Sequence, residues 1–205
     1  METLKDFTNM DKLAYTKYIE SENFVNKHIA ISLSAQNVHE KVNQDYDGKP
    51  YYIHLNAVAS YTFKYIPLIC EKEEDVLPVL FGAYFHDSIE DARLTYNDVM
   101  KIAKGIMSDE QAYMAAEIVY ALTNEKGRNR HERANDKYYE GIRTTKYAPL
   151  VKAADRLANY GYAKSTHSRM EKCYRDEMKD FIKKALTAED GTLLIPKEMV
   201  DELFS

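Results

Sequence analysis

Apolar residues recur at three- and four-residue spacing along most of the chain, which is the period of an amphipathic helix. No stretch of any length alternates strictly between apolar and polar residues, as a half-buried strand would. We therefore predict an all-α fold, a helical bundle. The predicted helices cover residues 10–20, 26–42, 51–66, 76–87, 108–122, 132–142, 149–163, 168–186 and 197–204, with one more that begins after residue 95.

Helix-start signals support several of these assignments. Thr95 and Ser108 each precede an acid or amide three residues later, which is the pattern of a capping box. Asp75 stands where it could cap the strongly apolar segment that follows, and Pro149 suits the first turn of a helix. Residues 45–50 read as a turn. No repeat or flexible linker interrupts the 205 residues, so we predict a single domain over 1–205.

Composition and charge limit the class of partner. Hydrophobic residues make up 45% of the chain and charged residues 30%, with only 7 Gly and 5 Pro, which favours packed helices. A net charge of -5 argues against a nonspecific polynucleotide binder. Residues 124–164 nevertheless carry ten Lys and Arg against five Asp and Glu. This basic segment suits a small anionic ligand; the alternative is a solvated helical face.

The sequence also predicts a cytoplasmic protein. Cys70 and Cys173 are far apart and have no CxxC context, so they read as reduced thiols. The acidic N-terminal stretch lacks the apolar region of a signal peptide. No apolar run approaches the ~20 residues of a membrane-spanning helix, so we expect no membrane partner.

The most unusual stretch of the chain is residues 85–91, FHDSIED. An apolar helix ends there in His86 and Asp87, and Glu90 and Asp91 follow one turn later. Burying unpaired acids is costly, so the cluster needs a counter-charge, and a divalent metal supplies one. The alternative is an exposed helix end that happens to be acidic.

Two further residues are candidate ligands. His54 lies one turn into the helix that follows Pro50, where the alternative is a hydrogen-bonded core histidine. Asp155 is flanked by Ala and Leu, where an acid needs a partner; the alternative is an ion pair with Lys152 or Arg156. Asn159 follows Asp155 at i+4, on the same helix face.

Three runs of sequence resemble one known family. GKPYYIH at 48–54, FHDSIED at 85–91 and VKAADRLANY at 151–160 are similar to the motifs of HD-domain metal phosphohydrolases. The similarity extends to the RelA/SpoT-type (p)ppGpp hydrolase branch and its small single-domain members. This resemblance implies a helical bundle around a single metal site. The core motifs would span about residues 48–160, and C-terminal helices over 165–205 would pack on that core.

The resemblance also implies a role for each matching residue. The metal ligands would be His54, His86, Asp87 and Asp155. The metal would be Mn²⁺, with Zn²⁺, Fe²⁺ and Mg²⁺ as alternatives. The catalytic acids would be Glu90 and Asp91, which would align or deprotonate water and protonate the leaving oxygen. The residues that contact the substrate would be Asn159 and Lys152.

The chain departs from the family pattern at two places. Asn43 and Gln44 stand where the family usually has basic residues that hold the nucleotide, and Leu55 replaces a Pro after the ligand His. Arginine is suited to bidentate phosphate contacts. The basic segment, residues 124–164, offers three arginines that could replace the missing cations: Arg128, Arg130 and Arg133. We expect Arg128 and Arg130 to face the site, and the alternative is a solvent-facing loop.

The reaction implied by the resemblance is hydrolysis of the 3′-diphosphate of (p)ppGpp to GDP or GTP and pyrophosphate. The expected partner is a small phosphorylated nucleotide and not a polynucleotide. A phosphohydrolase of another nucleotide or phosphoester is the first alternative, favoured by Asn43 and Gln44. A nucleotide-sensing HD domain without turnover is the second alternative. Whether the chain forms a homo-oligomer is left open by the sequence.

Overall fold

The computed structural model describes residues 10–124 and 127–205, and helices dominate these residues. The all-α prediction is confirmed. The elements in chain order are α1 (Lys12–Ile19), α2 (Glu22–Glu40), β1 (Asp45–Tyr46), β2 (Lys49–Pro50), α3 (Tyr52–Ile69), a 3₁₀ turn (Glu73–Asp75), α4 (Val76–Phe85), α5 (Tyr96–Lys104), α6 (Asp109–Leu122), α7 (Arg130–Arg133), α8 (Asp136–Thr144), α9 (Ala148–Ser165), α10 (Arg169–Ala185) and α11 (Lys197–Leu203). In the described part of the chain, no helix is both long and apolar enough to cross a bilayer.

Helix α4 lies at the centre of the bundle. Every residue from Val76 to Phe85 is buried. The helix packs against α2, α3, α6 and α9, so it needs an apolar surface on all sides rather than on one stripe. Gly82 permits the close approach of α6, because a Cβ at this position would lie 2.5 Å from Cγ2 of Ile118.

The helices that carry the candidate ligands pack on one another. Helix α3 packs against both α4 and α9, and α4 also contacts α9. Helices α10 and α11 both pack on α9, α10 also contacts α8, and Nζ of Lys64 in α3 donates to Glu202 in α11. The motif-bearing segments 48–54, 85–91 and 151–160 are therefore brought together by the same three helices that build the core.

Three of the predicted helix starts are confirmed, including Pro149 in the first turn of α9, and the side-chain cap predicted at Asp75 is wrong. Capping boxes are present at Thr95 and Ser108. Asp75 precedes α4, but its side chain makes no capping hydrogen bond. Its carboxylate is buried and accepts hydrogen bonds from the hydroxyl of Tyr147 at 2.6 Å and Nζ of Lys146 at 3.2 Å. The carboxylate of Asp75 therefore binds these two distant donors and not the backbone N–H groups at the start of α4.

The predicted turn at 45–50 is a short β-hairpin. Asp45 pairs with Pro50 and Tyr46 with Lys49, in antiparallel register. The two turn residues, Asp47 and Gly48, both have positive φ, at 56° and 74°. Asp-Gly suits this geometry because Gly has no Cβ and Asp tolerates the left-handed region. The hairpin leads directly into α3 and so lies beside the candidate site.

Candidate metal centre

Four side chains from the three central helices converge on one point. His54 is in the first turn of α3, His86 and Asp87 directly follow α4, and Asp155 is in the middle of α9. Nε2 of His54 lies 3.2 Å from Nε2 of His86, which is 2.9 Å from Oδ2 of Asp87. Oδ1 of Asp155 lies 3.5 Å from Nε2 of His54 and 3.7 Å from Nε2 of His86. His54, His86 and Asp87 form a group that could hold a metal ion.

The chemistry of these donors fits a cation. Nδ1 of His86 lies 2.8 Å from the carbonyl oxygen of Ala83, which can only accept, so Nδ1 carries a hydrogen. In the neutral imidazole, Nε2 then turns a lone pair toward the carboxylate of Asp87. This arrangement is repulsive unless a proton or a metal ion balances it. A hydrogen bond from the far ring nitrogen to a carbonyl also orients the histidine as in known metal sites.

The electrostatics of the cluster also favour a bound cation. Burial opposes a charge on His86, but Asp87 and Asp155 outweigh it and raise the pKa of His86 to about 9. Burial likewise opposes ionisation of Asp87, but the charge of His86 and hydrogen bonds from both histidines hold the pKa of Asp87 well below its usual value. The cluster therefore stabilises positive charge between two carboxylates, as a cation site must.

His54 is oriented by packing. Its side chain is almost fully buried, and its Nδ1 has no hydrogen-bond partner within residues 10–124 and 127–205. The ring of Tyr46 lies parallel to it, with centroids 4.8 Å apart and an interplanar angle of 18°. Stacking on Tyr46 of the hairpin therefore orients the ring of His54. The ring of His86 is oriented instead by the hydrogen bond from its Nδ1 to the carbonyl oxygen of Ala83.

Asp155 is held by two neighbours on its own helix. Nδ2 of Asn159 donates to Oδ1 of Asp155 at 2.5 Å, and Nζ of Lys152 donates to Oδ2 at 3.0 Å. Burial opposes ionisation of Asp155, but Lys152 and His86 hold its pKa below the usual value. Burial also opposes the charge of Lys152, whose pKa is nevertheless raised well above its usual value, with Tyr138 and Asp155 among the causes. Two of the residues predicted to contact substrate, Asn159 and Lys152, are thus beside the cluster.

The two predicted catalytic acids have different surroundings. Asp91 accepts a hydrogen bond at 3.2 Å from the hydroxyl of Tyr51, which also donates to Asp87 at 2.6 Å. Glu90 accepts hydrogen bonds from the backbone nitrogen of Asn124 and, at 2.9 Å, from its Nδ2. Burial raises the pKa of Asp91, with further contributions from the charges of Asp87 and Glu90. Asp91 is therefore linked to the cluster, whereas Glu90 is fixed to the segment after α6.

A buried histidine lies behind Tyr51. The ring of His39 stacks on that of Tyr51, with centroids 4.5 Å apart and an interplanar angle of 16°. Neither ring nitrogen of His39 has a hydrogen-bond partner within the part of the chain that the structure describes. Burial lowers the pKa of His39 to about 4, and the charge of Asp87 offsets this only in part. His39 is therefore neutral and packs as an aromatic ring.

The structure does not bring Arg128 to the cluster. Its side chain is 90% exposed and pairs with Glu132, with 3.0 Å between Nη2 and Oε1. A local partner at i+4 is available without any loop closure, which explains this placement. The expected phosphate contact of Arg128 stays a prediction. The side chain of Arg130 lies outside the described part of the chain.

Sequence reasoning missed four residues that support the site: His39, Tyr46, Tyr51 and Asn124. Tyr51 belongs to the same 48–54 run as His54, so its closeness to the cluster could have been inferred from that run. Tyr46 and Asn124 lie in a turn and at the start of a loop, where no periodic pattern indicates which side chain faces inward. Their contacts depend on how distant elements pack.

The chain matches no protein-family model, no curated protein and no solved structure. The resemblance to HD-domain phosphohydrolases, carried by the runs at 48–54, 85–91 and 151–160, therefore stays a prediction. What the geometry adds is that the histidines and carboxylates of these runs meet.

Proposed function

We propose that this chain is a metal-dependent phosphohydrolase that acts on a small phosphorylated nucleotide. One observation carries the proposal. Two imidazole nitrogens and two carboxylate oxygens, from His54, His86, Asp87 and Asp155, meet within hydrogen-bonding or near-contact distance at the centre of the bundle. Burying such a cluster costs free energy unless positive charge balances it, and a bound metal ion would supply that charge.

The four residues would hold the metal, which we propose to be Mn²⁺. Mixed imidazole and carboxylate ligands suit Mn²⁺, Fe²⁺ and Zn²⁺, whereas Mg²⁺ prefers oxygen alone. When bound, such an ion polarises a phosphoryl group and lowers the pKa of a coordinated water. Asn159 and Lys152 hold the carboxylate of Asp155 in place for this purpose.

Asp91 is the residue that we propose to move the proton. Burial raises the pKa of Asp91 above its usual value, and a carboxyl group that takes up a proton more readily suits proton transfer. The hydroxyl of Tyr51 orients it, and Glu90, fixed by Asn124, adds negative charge that favours its protonated form. In the proposed reaction, Asp91 and Glu90 align the attacking water and protonate the leaving oxygen.

The proposed substrate is (p)ppGpp, cleaved at its 3′-diphosphate to GDP or GTP and pyrophosphate. A second candidate, hydrolysis of another nucleotide or phosphoester, is favoured by the hairpin. The hairpin places an uncharged tyrosine, Tyr46, against His54, where a doubly phosphorylated nucleotide would need cations. A nucleotide-sensing domain without turnover is the third candidate, and the proton-carrying position of Asp91 argues against it.

A nucleotide panel tests the proposal. The protein is loaded with Mn²⁺ and incubated with ppGpp, other nucleotides and simple phosphoesters, and the products are separated by chromatography. GDP and pyrophosphate from ppGpp would support the leading candidate, and turnover of another compound would select the second. Binding without turnover for every compound would overturn the enzymatic proposal and favour a sensing domain.

A further inference from the structure

A cavity of about 440 Å³ lies between α6 and α8. Residues of these two helices and of the segments that follow them line it, whereas the candidate metal ligands belong to α3, α9 and the residues directly after α4. Cavities of this volume are typical of small-molecule sites in proteins. The space between α6 and α8 is therefore large enough for a ligand of its own.

An exposed tyrosine forms part of the α6 wall of this cavity. Tyr120 is 61% exposed, but its ring has a fixed neighbour, because Tyr96 of α5 meets it at 86° with centroids 5.7 Å apart. The hydroxyl of Tyr96 in turn donates to Oε1 of Glu117 at 2.7 Å, and Glu117 also lines the cavity. An aromatic ring that is exposed and yet held beside a cavity suits the stacking of a planar ligand.

Gly141 keeps the α8 wall of the cavity open. It stands inside α8, where glycine lowers helix stability relative to alanine. At Gly82 the close approach of α6 explains the glycine, but a Cβ at Gly141 would meet no atom within 4 Å. The missing side chain at Gly141 therefore leaves space in the cavity and does not admit a neighbouring helix. A larger side chain at this position would fill that space.

Two residues of the cavity wall also support the candidate metal centre. Asn124 donates to Glu90 from its backbone nitrogen and its Nδ2. Tyr138 is buried, and Nζ of Lys152 lies 5.8 Å from the centroid of its ring and 3.0 Å from Oδ2 of Asp155. The cavity is thus connected to Glu90 through one residue and to Asp155 through two.

The lining of the cavity fits an uncharged planar ring with polar edges. Among the described residues that line it, Lys137 contributes one ammonium group and Glu117 one carboxylate. The hydroxyls of Thr123 and Thr145 and the amide of Asn124 add neutral hydrogen-bonding groups. A phosphate group would need a larger excess of positive charge. A nucleobase has the flat faces and the polar edges that this lining matches.

We propose that the cavity between α6 and α8 binds a nucleobase, with one face of the base on Tyr120 and a polar edge toward Asn124. Two sources supply this chemistry: the base of the substrate nucleotide and a separate nucleoside. The inference rests on the proposed function for the first source only. From either source, a base in contact with Asn124 restrains the side chain that holds Glu90, so its binding affects the reaction.

Nucleosides without phosphate test the binding site directly. The full chain is titrated as purified with adenosine, guanosine, cytidine and uridine, and binding is followed by ligand-observed NMR. We expect at least one nucleoside to bind with a dissociation constant on the order of 1 mM or tighter. Tyr120→Ala removes the stacking surface and should weaken that binding about tenfold. Gly141→Leu fills the cavity and should weaken it about tenfold or more.

The matched control is Tyr113→Ala. Tyr113 is 59% exposed and lies two turns before Tyr120 on α6, so its loss should leave nucleoside binding unchanged. Melting temperatures show whether each variant is folded, and Tyr120→Ala decides the question if Gly141→Leu does not fold. Equal binding by the wild type, Tyr120→Ala and Gly141→Leu, or no binding of any nucleoside by the wild type, would overturn the inference.

Kinetics with a nucleotide that the protein hydrolyses distinguish the two sources. If the cavity takes the base of the substrate, Gly141→Leu should raise KM about tenfold, and the bound nucleoside should inhibit competitively. If it takes a separate nucleoside, that nucleoside should change kcat of the wild type and not of Gly141→Leu. Turnover without nucleoside binding would refute this inference alone. Nucleoside binding without turnover of any nucleotide would support the cavity as a binding site and refute the proposed function.

Discussion

Asp87 and Asp91 share one hydrogen-bond donor, the hydroxyl of Tyr51, at 2.6 Å and 3.2 Å respectively. Asp87 is a proposed metal ligand and Asp91 the proposed proton carrier. The hydroxyl of Tyr51 therefore connects a proposed metal ligand to the proposed proton carrier. His39, stacked behind the ring, fixes the position of this phenol.

Replacing Tyr51 by Phe tests this link. The hydrogen bond from Tyr51 lowers the pKa of Asp91, so its loss should raise that pKa further. We expect the limb of the kcat/KM–pH profile that reports Asp91 to move to higher pH by roughly half a unit, with metal content unchanged. Tyr52→Phe, at the exposed neighbouring position, is the matched control. An unshifted profile in Tyr51→Phe would show that the two acids are not coupled through the phenol.

The two acids are expected to differ when each is neutralised. Asp91→Asn removes the proton carrier and should lower kcat by a factor on the order of 10² or more, with the metal retained. Glu90→Gln should also keep the metal and lose rate on the order of 10². In addition, it weakens the attachment to Asn124, so its melting temperature should fall whereas that of Asp91→Asn should not. Wild-type turnover by either variant would remove that residue from the mechanism.

The pH dependence of the metal-free protein follows from His86. Its pKa is raised from 6.5 to about 9 by Asp87 and Asp155 against the effect of burial. The stabilisation from its protonation is therefore complete below about pH 6.5 and is lost as pH rises through about 9. We expect unfolding free energy to fall over this interval in the metal-free wild type and to stay flatter in His86→Gln. The unfolding free energies are measured by urea unfolding at several pH values. An equal decrease with pH in both proteins would contradict the assignment of this pKa to His86.

The affinity for Mn²⁺ should rise over the pH interval in which the unfolding free energy of the metal-free protein falls. A metal ion and a proton compete for His86, so affinity for Mn²⁺ should rise as the proton leaves. Proton release on binding, measured by calorimetry in buffers of different ionisation enthalpy, checks this expectation. Binding without proton release near pH 7 would show that the ion binds elsewhere.

A stability prediction concerns the packing of α4 on α6. A Cβ at Gly82 would lie 2.5 Å from Cγ2 of Ile118, a buried and β-branched residue. Gly82→Ala should therefore destabilise the fold by roughly 1–3 kcal/mol. Gly141→Ala is the matched control, because its Cβ meets nothing within 4 Å and α8 should gain helix propensity. Denaturant unfolding of both variants would reveal whether Gly82 is needed for close packing.

The fold could be predicted from the sequence wherever the signal was local. The buried run of α4 and the capping boxes at Thr95 and Ser108 are read from neighbouring residues, and the structure confirms them. Asp75 was misassigned as a cap because its partners, Lys146 and Tyr147, are more than 70 positions away. Long-range donors of this kind leave no pattern around the residue that they bind.

In the candidate site too, local sequence patterns could be predicted, whereas contacts that depend on packing between distant segments could not. His54, His86, Asp87 and Asp155 each stand in a predicted helix, and packing of those helices brings them together. Arg128 was expected to face the site, but its local pairing with Glu132 could equally have been read at i+4. The contribution of Tyr46 could not be predicted, because a turn sequence does not say which helix the hairpin will lie on.

Metal stoichiometry tests the central claim most directly. Purified protein is stripped with a chelator, incubated with Mn²⁺, dialysed and analysed for metal, beside Asp87→Ala and an exposed-site control, Asp109→Ala. We predict one ion per chain in the wild type and in Asp109→Ala, and none in Asp87→Ala with its helical circular dichroism intact. A wild-type chain that stays free of metal after incubation with Mn²⁺, Zn²⁺ and Fe²⁺, or an Asp87→Ala variant that retains one ion, would contradict the account.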